Sequence, residues 1–400
     1  MTSPTHPSTE TVLISGASIA GPTLAYWLHR YGFEVTIVEK ARTPRGGGYP
    51  IDVRGTAIEV VRRMGVLPRL QAANLHIERF TFVDADGVTV ASLPPHEVTG
   101  SVVSQDLEMG RGDLTAALYA AVRDDVEFLF DDSIDTFEER DDGVDVEFRS
   151  GSRRRFDLVI GADGMHSRTR RLQFGAEEQF HRYLGYAFGV FTMPNTLGLF
   201  HELTLWNTPG RAAALYATGS SEDVLHAFVN FHRSEPPRGL HGDRDAQRAL
   251  ISEIYAQAGW EIPAILRAMQ DAEDLFFDTA GQIRMPSWSK GRVALVGDAA
   301  YAPSFLTGQG SSLAIVGAYM LAASLGGNQD HAAAFRAYER DTRDFVTRNQ
   351  ALVDTGGAPL FPITASALEQ RNTALRGQVA MPPSAGEPAH SALTLPVEIS

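Results

Sequence analysis

The sequence predicts an α/β fold in which a Rossmann-like domain carries an inserted, mainly antiparallel β-sheet domain and is followed by a C-terminal helix. Two observations lead to this prediction. The first is a strand–helix–strand pattern at residues 11–39, where the apolar runs TVLIS and EVTIVE flank a helix-forming stretch that stops at Gly32. The second is a block at residues 180–233 that is rich in aromatic residues, alternates as strands do and carries few helix signals.

Between these two segments the sequence predicts further strands and one helix. The sequence RFTFVDADGVTVA at residues 80–92 places Asp86-Gly87 between two alternating runs, which is typical of a hairpin. A helix is predicted near residues 112–123. The runs VEFLF, GVDVEFRS and FDLVIG within residues 126–161 predict a β-meander that ends in a buried strand.

After the aromatic block the pattern becomes helical again. We expect a helical stretch at residues 243–272, a strand in RVALVGDAA at 292–300, an apolar helix at 310–325 and a further helix at 335–353. Beyond about residue 377, Pro, Gly, Ser and Ala dominate, which predicts a loosely ordered tail.

Composition excludes several classes of function. The formal net charge of −14 opposes binding to nucleic acid, and the absence of Cys excludes disulfides, thiolate metal sites and a cysteine nucleophile. The first ten residues lack the basic start and apolar stretch of a signal peptide, and no apolar run approaches the ~20 residues that span a bilayer. We therefore expect a cytoplasmic protein that does not insert into a membrane, while its oligomeric state is not readable from sequence.

The first motif with chemical meaning is GASIAG at residues 16–21, placed where the first strand turns into the first helix. In a dinucleotide fold Gly16 permits the tight turn, a small residue lets the backbone approach a pyrophosphate, and Gly21 lets helix and strand pack closely. Ser18 stands where glycine is usual, although a small hydroxyl fits beside a phosphate. Glu39 ends the second strand, where it would accept hydrogen bonds from ribose hydroxyls.

Two further motifs also follow buried strands. GADG at residues 161–164 follows DLVI, with Ser167 and Arg168 further on. GDAA at residues 297–300 is followed by Pro303 and by GQG at residues 308–310, which opens the apolar helix. A carboxylate at a strand end and backbone N–H groups at a helix start are suited to a nucleotide cofactor.

In this order the motifs resemble those of flavoprotein hydroxylases of the para-hydroxybenzoate hydroxylase type, over residues 11–350. The local residues are similar to those of tetracycline-inactivating and polyketide-tailoring monooxygenases. The resemblance implies a non-covalently bound FAD, NADPH as a transient co-substrate and O₂. It also implies hydroxylation of a small aromatic, phenolic or enolic polyketide-like substrate through a flavin C4a-hydroperoxide. Because a second GxGxxG motif is missing, we expect tight FAD binding and weak NADPH binding.

The resemblance also implies roles for individual residues. Glu39 and Lys40 would hold the adenosine ribose, Arg111 the FAD phosphate or ribityl region, and Arg45 the nicotinamide cofactor. Asp52 would lie near the flavin, Asp298 would bind the ribitol or pyrophosphate, and Asp163 would serve the cofactor or the packing of its motif. The expected cofactor-binding set is Gly16, Ser18, Gly21, Glu39, Lys40, Arg45, Asp52, Arg111, Asp163, Asp298, Pro303, Gly308, Gly310, Ser311 and Ser312.

These elements predict a division of the chain into domains. The predicted units are a disordered leader (1–10), a discontinuous FAD-binding domain (11–76, 97–178 and 276–330), a substrate-binding domain (77–96 and 179–275), a C-terminal helical segment (331–376) and the tail (377–400).

The aromatic block supplies the candidates for substrate contact. Alternation along strands means that only about half of them face any one side. The pool is Tyr186, Phe188, Phe191, His201, Trp206, Tyr216, Phe228 and Phe231. No residue stands out as a general base, so the catalytic residues are unknown at this stage, and no metal site is expected because the 12 His residues show no ligand spacing beside carboxylates.

Three alternatives stay open. A flavin-dependent halogenase shares the fold, but neither the tryptophans nor Lys290 make its usual pattern. A prenyl-chain reductase would act without O₂. A non-catalytic flavin- or ligand-binding protein would bind without turnover, so that substrate would not stimulate NADPH oxidation.

Overall fold

The computed structural model describes residues 10–44, 49–99, 105–217, 223–240, 242–328, 330–354, 360–377 and 387–397. The strands in chain order are β1 (Thr11–Ser15), β2 (Glu34–Glu39), β3 (Pro50–Val53), β4 (Arg79–Val83), β5 (Thr89–Leu93), β6 (Leu107–Gly110), β7 (Glu127–Phe130), β8 (Ile134–Arg140), β9 (Gly143–Phe148), β10 (Arg153–Phe156), β11 (Leu158–Gly161), β12 (His181–Pro194), β13 (Glu202–Thr208), β14 (Arg211–Ala217), β15 (Val224–His232), β16 (Phe276–Ile283), β17 (Ser289–Lys290) and β18 (Val293–Leu295).

The helices in chain order are α1 (Ala20–Arg30), α2 (Thr56–Arg63), α3 (Leu67–Ala72), α4 (Pro95–Thr99), α5 (Arg111–Ala120), α6 (Arg168–Phe174), α7 (Arg244–Tyr255), α8 (Ile262–Asp271), α9 (Asp298–Tyr301), α10 (Gly310–Gly326), α11 (His331–Ala351), α12 (Ala365–Arg376) and α13 (Glu387–His390). Among the described helices, none combines the length and the apolar composition that crossing a bilayer requires.

A six-stranded sheet, here called the main sheet, has the order β17-β18-β11-β1-β2-β7. Its strands are parallel except β17 at the edge. Successive side chains of β1 face opposite sides: Val12 and Ile14 pack with the helices, whereas Leu13 packs with a small antiparallel sheet, β10-β9-β8. Both faces are therefore covered, which explains why these strands read as continuous apolar runs.

A seven-stranded sheet, here called the roof sheet, has the order β16-β12-β15-β14-β13-β4-β5. All its pairs are antiparallel except β13 with β4. One face packs on α7 and α8 through residues such as Ile251 and Met269. The α/β class predicted from sequence is confirmed, while the predicted domain boundaries remain a prediction.

Several sequence-based expectations differ from the structure. The run at residues 127–130 is not part of a meander, because β7 pairs in parallel with β2 in the main sheet. The predicted FAD-binding domain includes residues 276–283, whereas β16 pairs antiparallel with β12 of the roof sheet. The predicted strand at 292–300 ends at Leu295, since the residues from Asp298 onwards form the short helix α9.

Two expectations about helical and loosely ordered segments also need correction. The helical stretch 243–272 is two helices, α7 and α8, whose apolar sides both cover the roof sheet. Residues 387–397, within the predicted loose tail, pack against the main core. Leu393 joins that core, and the Pro396 carbonyl accepts hydrogen bonds from the Arg63 guanidinium and the Tyr319 hydroxyl at 2.8 and 2.9 Å.

The contact between β1 and α1 generates a stability prediction. A methyl group added at Gly21 would overlap the carbonyl oxygen of Gly16, so α1 would have to move away from β1. Gly21→Ala should therefore lower the free energy of unfolding by at least about 2 kcal/mol, measured by denaturant titration. His29→Ala, on the exposed end of the same helix, serves as the control and should change it by less than about 0.5 kcal/mol. Equal stability of the two variants would contradict this packing.

Candidate functional site

A cavity of about 1320 Å³ lies between the carboxyl ends of the main-sheet strands and one face of the roof sheet. Loops at the ends of β1, β11 and β18 supply its floor. The carboxyl ends of parallel strands are the usual place for ligands in such sheets. The three motifs singled out in the sequence therefore line one and the same cavity.

The turn after β1 is held by backbone packing that only glycine allows. Gly16 has φ +110°, and a methyl group added there would lie 2.5 Å from the Ala162 carbonyl oxygen. Gly297, at the third motif, has φ +63° and approaches the Ala20 side chain. These contacts place the ends of three strands close together. Gly21 lies behind this turn and does not line the cavity.

The helices α1 and α10 begin at the cavity and have no side-chain cap. The helices α7, α11 and α12 are capped by Asp243, Asp330 and Thr364, whose side chains accept hydrogen bonds from first-turn N–H groups. The helices α1 and α10 have no such cap and no acidic residue in the first turn. Their free N–H groups and the positive ends of their dipoles favour an anionic or electron-rich ligand group.

Glu39, at the end of β2, has both carboxylate oxygens oriented by the backbone. Its oxygens accept hydrogen bonds from the N–H groups of Ala17 and Ala41, each at 2.9 Å. The neighbouring Lys40 also lines the cavity. Arg111 also lines the cavity and begins α5, and its guanidinium donates to the Ser18 hydroxyl at 3.0 Å, which ties α5 to the glycine turn.

Asp298 begins α9 at the carboxyl end of β18 and lines the cavity. Burial raises the pKa of its carboxyl to about 6, an effect that Arg111 opposes and Asp278 reinforces. A carboxylate that is costly to desolvate and lies beside a cation is suited to accept hydrogen bonds from ligand hydroxyls.

Asp52 and Arg54 lie at the end of β3, below the roof sheet. The Arg54 guanidinium contacts the Asp52 carboxylate at 2.9 Å and donates to the Thr99 carbonyl at 3.2 Å. A methyl group on Gly308 would lie 3.3 Å from an Asp52 oxygen, which places Asp52 beside the loop that opens α10. Glu108, opposite Asp52 on β6, also lines the cavity.

The loop between α9 and α10 completes the floor. Pro303, Gly308, Gly310 and Ser311 line the cavity. Ser312 does not, because its hydroxyl accepts a hydrogen bond from the Arg54 N–H at 3.0 Å.

This loop is supported from behind by buried glutamines. The Gln282 side chain donates to the Pro303 carbonyl at 3.0 Å, and that of Gln350 donates to the carbonyls of Tyr301 and Ala302. The support fixes a backbone in which Ser304 has φ +80°.

Asp163 serves packing within its own motif. Its carboxylate accepts hydrogen bonds from the hydroxyl of Ser167 and from the N–H and hydroxyl of Thr169. The carboxylate therefore fixes the start of α6, although the residue touches the cavity wall. Arg45, expected to hold the nicotinamide cofactor, lies outside the described residues.

His166 links this motif to the roof sheet. Its ring contacts Glu177 at 2.8 Å and Asp278 of β16 at 3.3 Å. Hydrogen bonds to Asp278 and Glu177 raise the pKa of His166 to about 10, so the imidazole is charged at neutral pH. Among the described residues, no group of three His, Asp or Glu side chains could hold a metal ion.

The roof sheet presents part of the aromatic pool to the cavity. Phe188, Tyr216 and Phe228 line it. Phe188 and Phe228 pack on Phe305 of the floor, with ring centroids 4.6 and 5.4 Å apart.

The other aromatic candidates do not line the cavity. Phe191, Trp206 and Phe231 face α7 and α8 in the opposite core, because they alternate with the cavity-facing positions. The Tyr186 hydroxyl donates to the Phe361 carbonyl at 2.9 Å, and His201 lies in the turn before β13, where its carbonyl accepts from the Glu78 N–H. These assignments to the substrate site are therefore corrected.

Sequence reasoning missed three residues that line the cavity, namely Arg54, Glu108 and His166. Glu108 and Arg54 lie three and two residues from positions that were singled out, Arg111 and Asp52. The alternation of β6 and β3 was the available signal, but the pairing of these short strands joins segments more than fifty residues apart.

The chain is similar to known proteins both in sequence and in fold. The family model described as FAD binding domain matches residues 9–352. An uncharacterized protein of Mycobacterium tuberculosis (strain ATCC 25618 / H37Rv) is 44% identical over 360 residues, covering 88% of this chain and 95% of its own. A flavin-dependent monooxygenase from an unknown prokaryotic organism is 39% identical over 375 residues, covering 93% and 96%.

A solved structure gives the same result in three dimensions. The crystal structure of tetracycline destructase Tet(55) superposes with a TM-score of 0.84 at 36% identity, covering 98% of this chain and 100% of that one. Sequence and fold therefore agree over nearly the whole chain. The chain belongs to the FAD binding domain family and is a flavin-dependent monooxygenase of the class A aromatic-hydroxylase type.

Proposed function

We propose that the protein uses FAD, a reduced nicotinamide cofactor and O₂ to hydroxylate a planar aromatic, phenolic or enolic substrate of polyketide-like size. The observation that carries this proposal is a single cavity of about 1320 Å³ that joins a dinucleotide-type glycine turn to an aromatic roof. Tet(55) is named a tetracycline destructase, which supports a polycyclic substrate class for this chain as well.

The residues present fit an FAD molecule. The crowded turn at Gly16 leaves backbone N–H groups at the uncapped start of α1, which suits a pyrophosphate. Arg111 and Lys40, which line the same cavity as that turn, supply positive charge. Glu39 would accept from the adenosine ribose, and Asp298 from the ribitol chain.

The start of α10 fits the electron-rich end of a flavin ring. Gly308, in the loop before α10, has the left-handed backbone conformation that favours glycine, with φ +63°. The first turn of α10 has no side-chain cap. The buried carbonyl oxygen of the Gln309 side chain lacks a hydrogen-bond partner in the described chain, as expected of a group that awaits a ligand donor. When bound there, FAD supplies the redox chemistry that inserts one atom of O₂ into the substrate.

The protein's own residues supply position and exclusion of water. The roof aromatics, with Phe305 on the floor, give a planar substrate apolar surfaces above and beside it. A dry cavity favours oxygen transfer over release of hydrogen peroxide. The dipole of α10 stabilises negative charge that develops next to its N-terminus.

We infer that NADPH binds transiently and that Arg45 contributes to its binding. FAD would occupy the dinucleotide-type glycine turn at Gly16, which follows β1 of the main sheet. NADPH would then have to bind elsewhere. NADPH, which must transfer its hydride to the flavin and then leave, would therefore bind at the surface of the FAD-loaded protein. Firm binding of NADPH to flavin-free protein, measured by calorimetry, would contradict this part of the proposal.

The first experiment tests the activity itself. FAD-loaded protein is incubated with NADPH, air and a panel of phenols, anthracyclines and tetracyclines, and the products are analysed by mass spectrometry. We expect at least one member to gain one oxygen atom in a reaction that needs NADPH and O₂. A product that gains hydrogen without oxygen would indicate a reductase, and a failure of every panel member to stimulate NADPH oxidation would favour a binding role.

Arg111 should contribute to FAD binding through its charge. Arg111→Ala should weaken FAD binding about 10- to 100-fold, because a charge-assisted hydrogen bond contributes about 1.5–3 kcal/mol. The dissociation constant is measured by quenching of flavin fluorescence. Arg123→Ala, at an exposed arginine paired with Asp124, is the matched control and should leave the constant unchanged.

Phe228 and Phe231 lie on the same strand and face opposite sides, so they form a matched pair. Phe228→Ala removes a cavity wall and should raise KM for the oxygenated substrate about 10-fold or more. Phe231→Ala leaves a hole in the core against α7 and should lower the free energy of unfolding by about 3–5 kcal/mol with KM unchanged. The reverse result would show that the roof sheet has been assigned the wrong face.

A further inference from the structure

Two carboxyl groups meet on the short sheet formed by β3 and β6. Asp52 and Glu108 are directly opposed in the antiparallel register, and both line the cavity. Direct cross-strand neighbours project their side chains to the same face of a sheet. Two acidic side chains placed so close in a partly buried site cannot both be ionised without a large cost.

The nearby guanidinium of Arg54 contacts only one of these two carboxyl groups, that of Asp52. Arg54 is only 7% exposed, and its guanidinium contacts Asp52 at 2.9 Å and the Thr99 carbonyl at 3.2 Å. Within the described part of the chain, Glu108 accepts no side-chain or backbone hydrogen bond at its carboxyl group. Arg54 therefore pairs with Asp52, whereas Glu108 faces the cavity without a partner.

The electrostatic surroundings make Glu108 the group that exchanges a proton. Burial and the charge of Asp52 raise the pKa of Glu108 to about 8, and Arg54 offsets only part of this rise. Tyr216 of the roof sheet faces both carboxyl groups and stays neutral, because burial and their charges raise its pKa. The carboxylate of Asp106, just before β6, accepts a hydrogen bond from the backbone N–H of Gly55.

Glu108 also lies at the right place in the cavity. A methyl group added at Gly308 would lie 3.3 Å from a carboxylate oxygen of Asp52, the cross-strand neighbour of Glu108. Asp52 and Glu108 are therefore close to the loop that precedes α10. Tyr216 and Phe228 of the roof sheet line the same cavity. A substrate hydroxyl on this side of the cavity would therefore lie beside Glu108.

We propose that Glu108 is a catalytic residue that accepts the proton from the phenolic or enolic hydroxyl of the substrate during oxygen insertion. The inference rests on the proposed function. As the π electrons of the ring carbon form a bond to one oxygen atom derived from O₂, the O–O bond breaks and the second oxygen atom leaves as water. At the same time the substrate O–H bond breaks and its electrons form a carbonyl group, while the proton passes to the ionised Glu108, which later releases it to water. The reduced nicotinamide cofactor supplies the two electrons that reduce the second oxygen atom, and O₂ supplies the inserted one.

Glu108→Gln keeps the size and polarity of the side chain but removes the proton acceptor. Oxygenated product should fall at least about 100-fold in kcat, with little change in KM, while NADPH oxidation continues and yields hydrogen peroxide. In the wild type the rate of oxygenation should rise with pH through about 8, as Glu108 loses its proton, and this rise should be absent in the variant. Glu108→Asp should restore part of the oxygenated product and part of the rise in rate with pH.

The control is Glu202→Gln, at a half-buried glutamate of the roof sheet that lies outside the cavity and pairs with Arg79. It should keep the wild-type pH profile and product yield. Flavin content and thermal unfolding are measured for every variant, so that a folding defect is separated from a chemical one. Full product yield and an unchanged pH profile in Glu108→Gln would overturn the proposal.

A second measurement needs no substrate and separates this proposal from the proposed function. Infrared difference spectra of the FAD-loaded wild type and Glu108→Gln are recorded as pH rises from about 6 to about 10, a range that brackets the raised pKa. The wild type should show the carbonyl stretch of a protonated carboxyl group that disappears with a midpoint near 8. Absence of this band would overturn the role of Glu108. If no panel member gains oxygen while the band is present, the substrate class has failed instead.

Discussion

Three backbone segments meet at the carboxyl ends of β1, β11 and β18 at distances that leave no room for side chains. Gly16 lies against the backbone carbonyl of Ala162, and Gly21 lies against the backbone carbonyl of Gly16. Gly297 lies close to the methyl group of Ala20. Because these contacts hold the strand ends together, the loops that follow them open into one cavity. The positions of Glu39, Asp163 and Asp298 all depend on this close packing.

The cavity combines two opposite kinds of surface. Its floor carries uncapped helix starts and charged side chains on the main-sheet side, whereas the roof is an aromatic face of an antiparallel sheet. Such a combination suits a cofactor with an anionic part and a substrate with a planar apolar body. The overall charge of −14 does not prevent this, since local cations such as Arg111 and Lys40 face the cavity.

Parts of the structure remote from the cavity maintain its shape. Gln350 on α11 satisfies the carbonyl groups of the loop between α9 and α10, and residues 387–397 cover the helices behind it. The loop backbone is strained at Ser304, where φ is +80°. Strain of this kind persists only where the surrounding structure holds it, which is what the buried glutamines do.

The sequence by itself determined the α/β class, the glycine turn with Glu39, and the order of the three motifs, because each depends on residues close together in the chain. Tertiary structure alone decided which aromatic residues reach the cavity. Phe228 lines it and Phe231 does not, since the packing of α7 and α8 selects the face of the roof sheet. It also decided that β16 joins the roof sheet and that Glu108 lies opposite Asp52. These features arise from pairing between distant segments, and burial, which sets the pKa of Glu108, exists only once that pairing has formed.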